Sequence, residues 1–157
     1  MKLKYLIFLT FILSLLLISG CGEEEVIFTN STLEINGNTI NIEIANESAQ
    51  WMQGLSNREE LCYNCGMLFV FENTKVYDFW MKDTYISLDI IYIDESGMIV
   101  NIVQAEPCIE ETCEGELCEE LVCEEFSSNF PVKYVLEVNK GYTEELGIAK
   151  WDKIIIS

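Results

Sequence analysis

The stretch TLEINGNTINIEIA, residues 32–45, alternates apolar and polar side chains on both sides of Asn36-Gly37-Asn38. Period-two alternation marks a strand with one buried face, and Asn-Gly accepts the positive φ that a tight hairpin turn requires. The stretch therefore predicts two paired antiparallel strands. Further along, GMLFVF (66–71), VYDFWM (76–81), LDIIYID (88–94), MIVNIVQA (98–105), KYVLEV (133–138) and KIIIS (153–157) are short runs rich in β-branched and aromatic residues. Gly, Asn, Asp or charged turns separate them, and residues 88–103 read as a second hairpin turning at Glu95-Ser96-Gly97. Roughly eight short strands without a long helix predict a mainly β domain, a compact sandwich or jelly-roll-like barrel. One or two short helices interrupt it. Asn46 or Ser48 caps the first, which carries Trp51, Met52 and Leu55 and ends near Gly54; Thr143 caps a single turn closed by Gly147.

The N-terminus sets the compartment. Lys2 and Lys4 precede an almost wholly apolar run from Tyr5 to Ile18, which gives way to small residues and a cysteine in LISGC (17–21). The run falls short of the roughly 20 apolar residues of a spanning helix and ends in a lipobox, so residues 1–20 read as a lipoprotein-type signal peptide. Cleavage would leave Cys21 as a lipid-modified N-terminus, and two or more acyl chains there hold a domain stably on a membrane. Residues 21–25 then form a short tether, and residues 26–157 one domain, a size that carries a single core. The expected location is the extracytoplasmic side of the cell membrane.

Charge narrows the partners. The chain has nine Lys plus Arg against 27 Asp plus Glu, a net charge of −18; loss of Lys2 and Lys4 makes it −20. Such a surface repels nucleic acid and anionic headgroups, so no nucleic-acid partner is expected, and membrane attachment rests on the lipid at Cys21.

With Cys21 assigned to lipid, Cys62, Cys65, Cys108, Cys113, Cys118 and Cys123 remain, and an even set in an exported chain reads as a disulfide framework. The last four recur every five residues within an acidic loop, 106–125, that holds nine Glu and no Lys or Arg. A five-residue step gathers four thiols onto one face of neither a helix nor a strand. A turn centred on Gly115-Glu116 instead places Cys113 opposite Cys118 and Cys108 opposite Cys123; pairing Cys108 with Cys113 and Cys118 with Cys123 stays open. Mutually repelling glutamates do not order a loop by burial, so covalent closure is the expected remedy. Cys62-x-x-Cys65 with two loop cysteines offers a zinc site of permissible spacing, disfavoured because exported thiols oxidise. Thioredoxin-like use of the same motif lacks its βαβ setting, and the glutamates lack the ordering of a calcium loop.

The chain has no histidine, which excludes Ser-His-Asp and Cys-His triads and His-based metal centres. Walker and Rossmann glycine patterns are missing as well. No catalytic residue, metal or cofactor is therefore assigned; paired carboxylates, Asp83 with Asp89 or Glu137, are the remaining route to hydrolysis. A stronger candidate lies in YDFWMKDT (77–84). Strand parity puts Tyr77, Phe79 and Met81 on a core face and Asp78, Trp80 and Lys82 on the other. An indole beside a cation and an anion is the inventory of a small polar-ligand groove. Arg58, the only arginine, follows the first helix closely enough to join it as a bidentate donor. Arg58, Trp80, Lys82, Asp83 and Asp89 are thus the ligand-site candidates, for a small anionic or zwitterionic ligand.

The segments QGLSNRE (53–59), GMLFVF, FWMKDT (79–84), LDIIYID, YVLEVN (134–139) and LGI (146–148) occur in the order seen in domain-of-unknown-function family 192, and the chain resembles that family from about Ile40 to Ile156. The resemblance implies a compact, mostly β, jelly-roll-like domain, frequently exported, and carries no established reaction. Asp83 stands where the family usually has Asn, and Trp151 where it has a Gly-Asp turn. The expected function is a membrane-anchored, noncatalytic ligand-binding or accessory module of the cell envelope. The alternatives are a carboxylate-dependent hydrolase of cell-envelope material and a Cys-thiolate zinc protein.

Overall fold

The computed structural model describes residues 26–109 and 123–156. Within them the elements run β1 (Thr29–Ile35), β2 (Asn38–Ala45), α1 (Ser48–Gln53), β3 (Cys65–Lys75), β4 (Asp78–Trp80), β5 (Leu88–Ile93), β6 (Ile99–Ala105), β7 (Glu125–Ser127), β8 (Val132–Asn139), α2 (Tyr142–Glu145) and β9 (Ile154–Ile156). Seven strands form one sheet in the order β6-β5-β8-β3-β2-β1-β9, while β4 and β7 make a separate two-stranded ribbon. The outer strands of the large sheet come together: Met98 bridges Lys153, and the amides of Ile99 and Ile154 donate to the carbonyls of Asp152 and Gly97, both at 2.9 Å. The sheet thereby curls into a barrel, and the domain is mainly β as its strand pattern predicts.

Both hairpins form where expected. Asn36 and Gly37 take φ of 51° and 77° between β1 and β2, the conformation for which Asn-Gly is suited. Between β5 and β6, Asp94 Oδ1 accepts from the amides of Ser96 and Met98 and from the Ser96 hydroxyl. The feature the pattern did not show is direction: β2 and β3 run parallel, with α1 in the connection between them. Period two reports which face is buried and is silent about strand polarity.

Two apolar clusters sit on opposite faces of the sheet. All the sheet's strands contribute to the inner one, including Leu33, Ile42, Leu68, Ile91, Leu136 and Ile154, so it fills the barrel. The other lies outside, over β3, β5 and β8, with Met67, Phe69, Ile90, Tyr92 and Val135 covered by Leu55, Met81 and Phe79. Every residue of β5 is consequently buried, which is why LDIIYI reads as a continuous apolar run.

The helix caps differ from expectation. At α1 the Gln50 side chain turns back, its Oε1 accepting from the amides of Asn46 (2.8 Å) and Glu47 (3.1 Å), so Glu47, and neither Asn46 nor Ser48, is the capping position. At α2 Gly141 occupies the cap and Thr143 lies inside the helix; the acceptor for its first amides comes from β5, as Asp89. Among the described residues no helix is long and apolar enough to cross a membrane.

Asp83 and Trp151, two of the departures from the pattern the chain resembles, both have left-handed backbone, with φ of 55° and 80°. Asn and Gly adopt that region with little strain, whereas a bulky aromatic does not. Because Trp151 is also exposed, its indole contributes little packing in return. Trp151→Gly is expected to stabilise the domain by about 1 kcal/mol in urea unfolding; equal or lower stability would show that the indole holds contacts offsetting the strain.

Candidate functional site

An aromatic-walled cavity of about 290 Å³ opens beside the outer core. One wall is α1 and the turn after it, with Trp51 fixed by donation of its Nε1–H to the Ala45 carbonyl at 3.0 Å. Another is the β4 segment, where parity holds as read: Phe79 turns inward, edge-on to Phe69 (5.0 Å between centroids), and Trp80 turns outward, 60% exposed. Tyr77 stacks on Phe71 at 3.8 Å, and Trp51 tilts against the same ring at 5.3 Å. Asp78 lines the cavity from an exposed position.

Glu137 also lines this cavity. Its neighbours Leu136 and Val138 point into the barrel, so strand alternation turns Glu137 to the outer face. It is 4% exposed, and among the described residues no hydrogen bond reaches its carboxyl group. No sealed polar atom is left unpaired there, so the carboxyl oxygens open onto the cavity. Burial alone pushes the group up to about 8 from its ordinary 4.5. Gly66 lets β3 run close to this part of β8, since a Cβ there would sit 2.7 Å from the Glu137 carbonyl oxygen. Tyr92, one strand away, donates its hydroxyl to the Phe126 carbonyl at 2.5 Å; burial first, then the Glu137 charge, push it upward.

Of the five ligand-site candidates the cavity takes only Trp80. Arg58 is engaged by Glu43 in a bidentate pair (2.5 and 2.7 Å) and lies over the Phe28 ring at 5.7 Å. The Glu43 hydrogen bond raises the guanidinium further, so its charge is already matched. Lys82 follows the end of β4 and is exposed outside the cavity; its backbone bridges to Cys108 and its carbonyl accepts from Ser56 Oγ. Asp83 is exposed at a left-handed turn, its backbone bonded to Asn57 and Cys108. Asp89 is fully buried on the opposite face of β5, accepting from Gly141 N (3.1 Å), Thr143 N (2.9 Å) and Thr143 Oγ1 (2.6 Å). The expected cluster of two cations beside an indole is therefore not formed, and with it goes the basis for an anionic ligand.

Disulfides join Cys62 to Cys65 and Cys108 to Cys123, with Cα separations of 5.1 and 5.7 Å. The second is one of the two pairings expected from a turn centred on Gly115-Glu116; that turn, Cys113 and Cys118 lie outside the described residues. Bonded to each other at the entry to β3, Cys62 and Cys65 hold no thiolate for the zinc alternative. The residue that sequence reasoning undervalued is Glu137, named only as half of a carboxylate pair. Its signal was present as a lone charge inside the apolar run YVLEV.

A small curled β barrel with an aromatic cavity on its outer face is the class of protein these features define. The chain belongs to the DUF192 family, described as Uncharacterized ACR, which it matches over residues 31–156. Among solved structures it is similar to a protein described as a "putative transcription regulator" from Sinorhizobium meliloti 1021, at 31% identity and a TM-score of 0.71, covering 85% of this chain and 98% of that one. It is also similar to a protein of unknown function from Novosphingobium aromaticivorans DSM 12444, at 27% identity and a TM-score of 0.67, covering 85% and 89%. No curated protein matches.

Proposed function

We propose that the chain is an extracytoplasmic lipoprotein, anchored through Cys21, whose barrel binds a small ligand noncatalytically in the aromatic cavity. The observation that carries the binding role is the cavity itself: about 290 Å³, walled by indole, phenyl and phenol rings, with a few polar groups among them, the buried Glu137 carboxyl and Asp78 foremost. A mostly apolar concavity with few convergent polar groups is the usual form of a small-molecule site. If transcription regulation, the description given to the Sinorhizobium protein, meant direct contact with nucleic acid, a net charge of −18 would oppose it here.

Trp51 and Trp80 line the cavity, so a ligand entering it changes their emission. Benzyl alcohol, a neutral aromatic probe, is expected to give a saturable change, with affinity about tenfold weaker in Trp80→Ala, the loss of roughly 1.4 kcal/mol of wall contact. A panel of neutral, cationic and anionic aromatics that leaves the emission unchanged would remove the binding role.

The anchor is tested separately. Mass analysis of the membrane-bound chain is expected to find an acylated peptide beginning at Cys21, and Cys21→Ser to leave the precursor unprocessed. An acylated Cys21→Ser product, or a wild-type chain that keeps residues 1–20, would end that reading.

One observation favours the hydrolase alternative: Asp78 and Glu137 line the same cavity from unlike environments, one exposed and one buried. Turnover of a cell-envelope substrate that is lost in both Asp78→Asn and Glu137→Gln would establish it over simple binding.

A further inference from the structure

We propose that the cavity recognises a methylated ammonium group, the aromatic walls receiving its methyls and the Glu137 carboxylate matching its charge. This deepens the reading of the cavity as a ligand site and rests on it.

The argument begins with a group that lacks a partner. Among the described residues Glu137 is 4% exposed and unbonded, whereas Asp89, the other buried carboxylate among them, has three donors. A buried carboxyl group without a partner is costly, and a carboxyl opening onto a cavity is matched by whatever enters the cavity. The surroundings select a cation. Phe69 and Tyr92 lie opposite Val135, two residues along β8 from Glu137, which places both rings diagonally beside it on the neighbouring strands. Of the two, Phe69 lines the cavity, together with Trp51, Tyr77 and Trp80. The negative ring faces attract an organic cation, best at indole.

Among the described residues no Lys or Arg lines the cavity, and the one arginine is paired with Glu43. Asp78 on the wall, on a surface of net charge −18, concentrates cations at the entrance and repels anions. Methylation follows from the walls. Asp78, Ser56 and Thr84 also line the cavity and can accept from a primary ammonium, so it is the aromatic rings around them that favour methyl groups, which carry the diffuse positive charge against ring faces.

The test compares choline with 3,3-dimethylbutan-1-ol, the same shape with carbon in place of the charged nitrogen. The full-length protein is reconstituted in phosphatidylglycerol vesicles and titrated through its tryptophan emission. At pH 8.5 choline is expected to bind at least tenfold more tightly than the alcohol. Glu137→Gln keeps the side-chain shape and is expected to remove that preference while leaving the alcohol's affinity within about twofold. In the wild type, choline affinity is expected to rise between pH 6 and 8 as its binding displaces the carboxyl proton, and to be flat in Glu137→Gln. Among the described residues the other ionisable groups facing Glu137 are Tyr92 from β5, Tyr77 just before β4 and Asp78 at its start; the cavity residues of β3 and α1 include none. Both phenols are held above their ordinary range by burial, and Asp78→Asn is the control for the remaining carboxylate.

Equal binding of choline and the alcohol, indifferent to Glu137→Gln, would overturn the ammonium assignment and leave the cavity a neutral-ligand site. Binding of neither would overturn both. Phosphatidylcholine added to the vesicles separates two sources of the group: competition with choline assigns it to a lipid headgroup, and indifference to a soluble ligand.

Discussion

Replacing Asp89 by Ala is expected to lower the unfolding free energy by about 3–5 kcal/mol, the cost of stripping several buried donors of one shared acceptor. Asp89 is fully buried and accepts from two backbone amides and one hydroxyl at the start of α2. A four-residue helix does not persist on local bonds alone, so its position depends on this anchor from β5. Asp89→Asn turns one acceptor into an NH₂ donor facing other donors, and an intermediate loss is expected. Urea unfolding at neutral pH measures both, and a domain of this size has only about 5–15 kcal/mol in total. A change below 1 kcal/mol in Asp89→Ala would mean that the donors find other acceptors and that Asp89 is not structural. That outcome would return it to the list of ligand contacts.

A second large effect comes from Glu137 and depends on pH. Its folded value of about 8 stands above its ordinary 4.5 because burial penalises the charged form. Between those values the unfolded chain has released a proton that the folded one still holds, so stability falls as pH rises. The slope is about 1.4 kcal/mol per pH unit, and the full loss approaches roughly 5 kcal/mol above pH 8. Below 4.5 both states are protonated and the effect vanishes. Glu137→Gln lacks the titration and is expected to match the wild type at pH 4.5, then exceed it by several kcal/mol at pH 9. The wild-type curve also carries the general repulsion of an acidic surface, which the variant shares, so the difference between the two isolates Glu137. Parallel stability curves for the two proteins would show that the carboxyl group is solvated or paired.

Strand positions were legible because period two and Asn-Gly act locally. What escaped depends on distant partners. β7 was missed because EFS follows a run of glutamates and pairs only with β4, some 47 residues earlier, at Asp78↔Ser127 and Trp80↔Glu125. Arg58 looked available because nothing in the sequence marks Glu43, 15 residues before it on β2, as its partner among 27 acidic residues. Asp89 looked like one more carboxylate until α2 folded over it. Glu137 stood out as a lone charge in an apolar strand, yet alternation places it on a face without saying whether that face is wet. Only the packing of α1 and β4 against β8 decides that. The parity of residues 77–82 was correct, with Met81 buried and Lys82 exposed, yet an outward position did not bring Lys82 to the cavity.

The Cys108–Cys123 bridge gives the domain a natural port for grafting. The two Cα atoms lie 5.7 Å apart, Cys108 is bonded through its backbone to Met81 and Asp83, and Cys123 leads almost directly into β7. The root of the loop is thus fastened on both sides by groups of the barrel itself. Each doubling of such a loop costs only about 0.6 kcal/mol of closure entropy. A reporter peptide or a second domain spliced between the two cysteines would inherit the barrel's anchor without altering its register, which makes this the place where the scaffold tolerates new genetic cargo.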